Sequence, residues 1–418
     1  CKADQRSHYG FLMRILIYGL NFYPELTGIG KYSGEMAAHL AVQGHEVRVV
    51  TAPPYYPYWQ VQKPYRAWRY QKEICEQVEV YRCPLWVPQK LSGLKRILHH
   101  LSFMVSSFPV VLRQRKWQPD LIMVVAPSFF SVFPSLILHK LLPQTKTWLH
   151  IQDFEIDAAF DLGFFSKENL FYRLIQKAES GLLQAFDRVS TISQQMLMRL
   201  WEKGVAKEKT YLFPNWINTD LIKPLKQPSA YRREWEIKNE QIVALYAGNM
   251  GKKQGLEIIL EAAKECTQVS ELIFVLCGEG AVRSILEERA KGLPNIRFYP
   301  LQPFERLNEL LSLADIHLLP QHADAADLVM PSKLSGMLAS GKAVIATADP
   351  ESELGAVIKE VGLLTPPEKV DELFVALKKL VQDSSLRNSL GKKGRAWVLD
   401  HWEKETILKE FEKNLKNC

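Results

Sequence analysis

The stretch ELTGIGKYSGE, residues 25–35, follows the apolar run RILIYGL (14–20) and holds Gly28, Gly30 and Gly34 within seven positions. A glycine-rich turn between a strand and a helix exposes backbone amides at the positive end of the helix dipole, where anions bind. Because glycine lacks a Cβ, the backbone at such a turn can approach a ligand closely. The stretch predicts a strand–turn–helix unit that is either an anion cradle or a plain turn.

A dinucleotide-binding fingerprint has the pattern G-x-G-x-x-G directly after a strand and a carboxylate at the end of the next strand. Here the spacing is G-x-G-x-x-x-G, and a loop from Leu20 to Thr27 separates it from the first strand. The second strand-like run ends in TAPP (51–54), which contains no carboxylate. These departures argue against an NAD-dependent hydride-transfer enzyme.

Strand-like and helix-like runs alternate along the rest of the chain. The strand-like runs are short and apolar, and they cover 14–20, 47–52, 78–83, 120–127, 147–153, 188–193, 242–249, 272–280, 296–300, 315–321 and 343–348. Apolar strands that carry helices on both faces indicate parallel, doubly wound sheets. We therefore predict an α/β fold of two doubly wound, Rossmann-like parallel-sheet domains that face a central cleft, where such sheets bind ligands.

The expected domain limits follow from this alternation. The first domain covers 13–212 and the second 213–395, while residues 396–416 form a C-terminal helix that packs back on the first domain. The segment from about 212 to 240 contains Pro214, Pro224 and Pro228, and we interpret it as the linker.

The second domain repeats the glycine-rich device at three strand ends. YAGNMGKKQGLE (246–257) and CGEG (277–280) each follow a strand, and MPSKLSG (330–336) opens a helix that Gly341 should end. Ser332 is the expected N-cap and Lys333 lies in the first turn, where a cation is unfavourable unless an anion compensates it. Together these loops predict a site for a diphosphate.

Composition limits the class of protein. The 418 residues are 47% apolar and 24% charged, as expected for folded domains and not for a disordered chain. Six cysteines lie scattered without a C-x-x-C pair, which fits a reducing cytosol. Residues 1–12 lack the apolar core of a secretory signal. The net charge of +7 favours an anionic partner, and no motif accompanies it that indicates nucleic acid.

With these motifs the chain resembles the retaining glycosyltransferases of family 4, which have the two-domain GT-B fold, and most closely the exopolysaccharide enzymes of colanic-acid type. The markers, in chain order, are FYPELTGIGKYSGEMAAHLAVQGHEVRVVTAPPYYP, WLHIQDFEIDAAFDLG, FPNWINTDLIKP, YAGNMGKKQGLE and MPSKLSGMLASGKAVIA. The resemblance implies transfer of a sugar from a nucleoside diphosphate, a GDP-sugar such as GDP-fucose being favoured, to a saccharide acceptor with retention.

The resemblance also implies site residues. The donor sits mainly on the second domain, which binds the nucleotide sugar, while the first is the acceptor side and closes over the donor with its glycines. The expected donor-binding residues are Gly28, Gly30, Asn249, Lys253, Gly278, Gly280, Ser332, Lys333 and Leu334. The co-substrate is a nucleoside-diphosphate sugar, and no cofactor or metal is expected because lysines and helix dipoles stabilise the departing diphosphate.

The expected catalytic residues are Asp153 and Asp327. Asp153 falls where relatives contact the acceptor or donor sugar, although it could equally cap the following helix; His150 is interpreted as a core histidine. The paired glutamates of the family would fall on Leu328 and Gly336, which are not acidic, so Asp327 is the neighbouring candidate for the sugar hydroxyls.

Residues 88–117 combine six basic side chains with a dense apolar face. Such a segment lies on an anionic membrane or forms an ordinary buried helix with snorkelling ends, and both interpretations stay open. Family acceptors are often polyprenyl-diphosphate-linked saccharides, so we expect a cytoplasmic protein peripherally associated with the inner membrane. The remaining alternatives are a sugar-nucleotide epimerase on the same fold and a non-catalytic two-domain ligand-binding protein.

Overall fold

The computed structural model describes residues 12–25, 28–89, 92–126, 129–154, 170–322 and 330–416. The chain divides into two compact units. The first comprises Cys1–Pro214 together with Leu408–Cys418, and the second comprises Asn215–Ile407. Each unit contains one predominantly parallel sheet, as the sequence predicts.

The first unit has an eight-stranded sheet in the order β3-β4-β2-β1-β5-β6-β7-β8, in which only the β3–β4 pair is antiparallel. Its strands are β1 Arg14–Gly19, β2 Glu46–Thr51, β3 Gln71–Cys75, β4 Val78–Arg82, β5 Leu121–Ala126, β6 Lys146–Ile151, β7 Arg188–Thr191 and β8 Thr210–Leu212. Its helices include α1 Gly28–Val42, α2 Gly93–Arg113, α3 Val132–Leu141, α4 Leu170–Gln184 and α5 Gln194–Glu202.

The second unit has a six-stranded, wholly parallel sheet in the order β11-β10-β9-β12-β13-β14. Its strands are β9 Ile242–Ala247, β10 Leu272–Cys277, β11 Ile296–Tyr299, β12 Ile316–Pro320, β13 Ala343–Thr347 and β14 Leu363–Thr365. Its helices include α6 Ala230–Glu234, α7 Glu257–Glu265, α8 Arg283–Arg289, α9 Leu307–Leu313, α10 Ser332–Ala339, α11 Glu353–Val361, α12 Val370–Gln382 and α13 Ser384–His401, and α14 Lys404–Leu415 ends in the first unit. This is the doubly wound order 3-2-1-4-5-6, which reverses between β9 and β12.

The central strands form because their side chains are buried on both faces. Every residue of β5, β10, β12 and β13 is buried, which explains their continuous apolar sequence. Strands β3, β8 and β14 were missed from sequence because they are short and only partly buried. Edge strands of this kind carry little apolar signal.

The segment interpreted as a linker is partly folded. Tyr231 in α6 is fully buried in the second unit, so the interpretation is wrong for that part of the segment. At the other end of the chain, Val398 of α13 lies in the core of the second unit. The chain from Leu408 onward belongs to the first unit, where Phe411 stacks on Phe213 with ring centroids 4.2 Å apart.

Candidate functional site

A chain of three polar groups lies where β9 ends in the second unit. The Lys333 ammonium donates to the Tyr246 hydroxyl at 2.5 Å, and this hydroxyl donates to the carbonyl of Asn249, also at 2.5 Å. Lys333 Nζ is 3.5 Å from the same carbonyl and 4.3 Å from the centre of the Tyr246 ring. The structure therefore brings Lys333 of α10 against the turn that follows β9.

Lys333 occupies a space that only glycine leaves open. A Cβ on Gly248, whose φ is +138°, would lie 2.5 Å from Lys333 Cε and 2.7 Å from Nζ. The lysine is half-buried, and this burial lowers its pKa to about 8. Among the described residues, its hydrogen-bond partners are a neutral hydroxyl and a carbonyl, and an anionic ligand would add a charge-assisted hydrogen bond to such a cation.

Gly278 and Gly280, at the end of β10, pack directly on the β9 turn. A Cβ on Gly278 would lie 1.9 Å from the carbonyl oxygen of Gly248, and a Cβ on Gly280 would lie 2.3 Å from that of Met250. Backbone hydrogen bonds join the two loops, from Met250 N to Glu279 O at 2.8 Å among others. Both predicted glycines are thus required for close backbone packing within the site.

Helix α10 begins one residue earlier than expected. Its N-cap is Pro331, which offers no side-chain hydrogen bond, so the prediction that Ser332 is the N-cap was wrong and Ser332 is the first helical residue. Lys333 is in the first turn as predicted. The Leu334 amide donates to the Pro331 carbonyl at 3.0 Å while its side chain is fully buried.

Asn249 and Lys253 lie in the β9 turn. Lys253 belongs to the 3₁₀ turn Lys252–Gln254, which Gly255 ends with a left-handed φ of +58°. Within this turn the Gln254 side chain accepts from the Gly251 amide at 3.0 Å. This contact of Gln254 could not be predicted from the sequence.

In the first unit, Gly28 and Gly30 begin helix α1. Gly28 has a left-handed φ of +61°. A Cβ on Gly30 would lie 2.6 Å from both Cβ and Oε2 of Glu25, a buried acid that the sequence analysis did not identify. These glycines are therefore adapted at least in part to neighbouring protein groups.

The predicted catalytic aspartates are not equally visible. Asp153 is exposed just beyond the carboxyl end of β6. The helix that the sequence predicts after it falls outside the described residues, as does Asp327. His150 is a core histidine, as predicted. Its Nδ1 lies 2.9 Å from Ser190 Oγ, and burial lowers its pKa to about 3.

Two further observations bear on the expected ligands. Gly336, where relatives are expected to have a glutamate, is buried in α10. A Cβ there would lie 3.2 Å from Leu311 Cδ1, so a larger side chain at this position would contact the apolar core. Among the residues that the structure describes, no cluster of three or more histidine, cysteine or acidic side chains could hold a metal ion.

Besides Gln254, Tyr246 and Glu25 are polar residues at these turns that sequence reasoning missed. Tyr246 stands at a strand position typical of an aromatic core residue, and its hydroxyl gains a role only because Lys333 arrives from a distant helix. Glu25 lies between an aromatic pair and a glycine turn, where an acid is ordinarily solvent-exposed. The signal available was only that each adjoins a glycine-rich loop.

The comparisons with known proteins agree with this architecture. Residues 27–216 match the family model of the glycosyl transferase 4-like domain, and residues 228–397 match that of glycosyl transferases group 1. Over 408 residues the chain is 42% identical to the colanic acid biosynthesis glycosyl transferase WcaI of Escherichia coli K12, which covers 96% of this chain and 98% of that protein.

Solved structures show the same fold at low identity. Sucrose-phosphate synthase from Thermosynechococcus elongatus superposes with a TM-score of 0.74 at 18% identity, covering 97% of this chain and 98% of its own. Anabaena HepE in complex with UDP and glucose superposes with a TM-score of 0.66 at 15% identity, covering 97% of this chain and 100% of its own. With both of its halves matched by family models and a relative of 42% identity over nearly its whole length, the chain belongs to the glycosyltransferases of GT-B fold.

Proposed function

We propose that this glycosyltransferase moves a sugar, with retention, from a nucleoside-diphosphate sugar to a polyprenyl-diphosphate-linked saccharide in exopolysaccharide assembly of colanic-acid type. The observation that carries the proposal is the half-buried Lys333 ammonium, set among glycine turns where the strand order of the second sheet reverses. The name of the WcaI relative supports the pathway, and a GDP-sugar such as GDP-fucose is the proposed donor. HepE was solved with UDP and glucose, which supports a nucleoside diphosphate in general.

In the reaction, the bond between the anomeric carbon and the diphosphate oxygen breaks while the acceptor hydroxyl oxygen bonds to that carbon. The hydroxyl proton passes to the donor phosphate, so no separate protein base is required. Lys333, Lys253 and the first-turn amides of α10 stabilise the departing diphosphate, and the reaction needs no metal. The proposed donor contacts are Gly28, Gly30, Asn249, Lys253, Gly278, Gly280, Ser332, Lys333 and Leu334.

Asp153 and Asp327 remain the proposed catalytic residues. Exposure of Asp153 at the end of β6 is compatible with contact to a sugar hydroxyl. A role in acceptor binding predicts that Asp153→Asn raises the KM for the acceptor or lowers kcat, without changing nucleoside-diphosphate affinity. An unchanged turnover in that variant would remove Asp153 from the site.

We further propose that helices α2 and α3 bind the cytoplasmic face of the inner membrane. Helix α2 buries one face in the first unit but leaves large apolar side chains exposed on the other, with Leu94 at 68% and Val105 at 65%. Adjacent α3 exposes a stripe at i, i+4 and i+8, namely Phe133, Ile137 and Leu141. Lys95 and Arg96 are exposed beside these residues, and a basic apolar surface favours anionic lipid. No helix among the described residues has the length and apolar content to span a bilayer.

The activity test supplies the purified protein with GDP-, UDP- and ADP-sugars, with and without a polyprenyl-diphosphate-linked saccharide. Release of one nucleoside diphosphate that depends on the acceptor, with a product that keeps the anomeric configuration of the donor, supports the proposal. Conversion of the donor without acceptor would indicate the epimerase. Binding without any turnover would indicate a non-catalytic binding protein.

The membrane proposal is tested by flotation with phosphatidylglycerol and phosphatidylcholine vesicles. Leu94→Glu should reduce flotation with the anionic vesicles, whereas Val375→Glu, at an exposed position of the second unit, should not. Equal flotation of both variants and wild type, or none by the wild type, would contradict the proposal.

A further inference from the structure

Glu25 is a buried carboxylate that joins two loops at the carboxyl edge of the first sheet. Its side chain belongs to the loop between β1 and α1 and is 2% exposed. Oε1 accepts hydrogen bonds from the backbone amides of Tyr55 and Tyr56, both at 2.9 Å, and these residues follow β2. Oε2 accepts from the Asn21 side-chain amide at 2.9 Å, so three N–H donors converge on one carboxylate.

Gly30 is matched to this carboxylate. Any residue with a Cβ at position 30 would place it 2.6 Å from Glu25 Oε2. The glycine of the helix start therefore makes room for an internal acid. Burial raises the pKa of Glu25 above its ordinary value. The hydrogen bonds from the Tyr56 and Tyr55 amides and from Asn21, together with the charge of Arg82, lower the pKa and oppose this effect.

Arg82 joins the same two loops a second time. Its buried guanidinium donates to the carbonyl of Tyr23 in the first loop at 2.5 Å and to that of Ala52 after β2 at 3.1 Å. Its Nε donates to the Glu73 carboxylate at 2.6 Å. Two buried charged side chains thus connect the glycine turn to the chain after β2.

The connection has a direct consequence for the glycine turn. The Tyr56 ring, held through its amide by Glu25, lies 3.4 Å from the place of a Cβ on Gly28. We infer that Glu25 is a positioning residue for the transfer reaction, which holds the Gly28–Gly30 turn and the Tyr55–Tyr56 loop in one geometry. The inference rests on the proposed function, in which this turn takes part in donor binding and reaction.

The inference separates binding from turnover. Most of the proposed nucleoside-diphosphate contacts lie in the second unit, so Glu25→Ala should weaken nucleoside-diphosphate affinity far less than it lowers kcat. It should lower kcat about 10- to 100-fold, because displaced reacting groups lose rate steeply. Glu25→Gln keeps an oxygen that both tyrosine amides can use and should recover most of kcat.

Hydrogen exchange gives a readout that does not depend on activity. In Glu25→Ala, peptides that contain Tyr55 and Tyr56 should exchange faster, because their amides lose their acceptor. The matched control is Asp187→Ala, which removes a carboxylate that accepts from the Thr147 amide and hydroxyl, both at 2.8 Å, at the opposite edge of the same sheet. The control should lower the melting temperature while leaving kcat unchanged well below that temperature.

The inference is overturned if Glu25→Ala retains wild-type kcat, or if it loses no more kcat than Asp187→Ala does at an equal loss of melting temperature. It is also overturned if exchange at Tyr55 and Tyr56 is unchanged. A wild-type protein that neither binds nor consumes any nucleotide sugar would instead refute the proposed function. In that case the exchange result still decides whether Glu25 holds the two loops together.

Discussion

The two strand-to-helix turns at 25–35 and 246–257 share a glycine-rich sequence but surround opposite charges. In the first unit, Gly30 makes room for the buried Glu25 carboxylate, which backbone amides and Asn21 already satisfy. In the second, Gly248 makes room for Lys333, a half-buried cation that meets only a hydroxyl and a carbonyl among its described hydrogen-bond partners. The first turn satisfies its charge internally, and the second is proposed to present a cation to a ligand.

Glycine content alone therefore does not identify a ligand site. A glycine shows that something approaches the backbone closely, but the approaching group can be the protein's own side chain or another backbone segment. The charge of that group, and whether it has an internal partner, distinguish a structural turn from a binding turn.

The largest effect is expected at Gly278, where the backbone after β10 crosses closely over the backbone of the β9 turn. Gly278→Ala places a Cβ 1.9 Å from the Gly248 carbonyl oxygen at a φ of +150°, and neither backbone segment can move easily. The free energy of unfolding of the second unit should fall by about 3–5 kcal/mol. Chemical denaturation measures this, with Gly292→Ala as a control because a Cβ there meets nothing within 4 Å although its φ is also positive. Equal losses would mean that backbone strain, and not the crossing, matters.

Removal of the Lys333 ammonium is expected to have the next largest effect. Lys333→Met should lower nucleoside-diphosphate affinity by about 2 kcal/mol, the typical contribution of a hydrogen bond to a charged group. The thermal stability should not fall, because a half-buried ammonium is replaced by an apolar side chain. Lys252→Met removes an equal charge from the exposed part of the same turn and should have little effect in calorimetry. Similar affinity losses in both variants would indicate general electrostatic attraction only.

The first turn should respond through its internal acid. Gly30→Ala should cost about 1–3 kcal/mol of unfolding free energy, since its Cβ displaces the Glu25 carboxylate from its donors. In a Glu25→Ala background the same substitution should cost almost nothing, because the space is then open. A double-mutant cycle measures this coupling. Additive effects would show that Glu25 is not the reason why position 30 requires a glycine.

The smallest effect is a dependence on pH. Because burial lowers the pKa of Lys333 to about 8, the free protein loses this charge as pH rises through that value. A bound diphosphate would raise the pKa again, so affinity should fall between pH 7 and 9. The same shift raises the free energy of unfolding as the pH rises above about 8. In that range the unfolded chain keeps a proton that the folded protein has lost. Lys333→Met should bind weakly at every pH, and a wild-type affinity that is flat over this range would contradict the assignment.

Much of the architecture could be predicted from sequence because buried parallel strands leave long apolar runs. All five strands proposed for the second unit were confirmed to within a few residues at their ends. The residues at its glycine turns were also correctly placed at strand ends, although their contacts with donor remain predictions. The N-cap of α10 was predicted one position too late, at Ser332, because Pro331 can precede a helix without offering a side-chain cap.

What could not be predicted depends on residues that are distant in sequence. Tyr246 and Lys333 are 87 positions apart and meet only in the folded second unit. Glu25 is satisfied by amides 30 and 31 positions away, so the sequence around it has no sign that it is buried. Periodicity detects elements, but it does not detect which loop meets which.

The most direct test of the account is a calorimetric titration of the wild-type protein with GDP, UDP, ADP and NAD, in a buffer without added metal. The account predicts that one nucleoside diphosphate binds in a single site and that NAD does not. Binding of NAD, or no binding of any nucleotide by demonstrably folded protein, would contradict the claim that the second glycine turn and Lys333 hold a donor diphosphate.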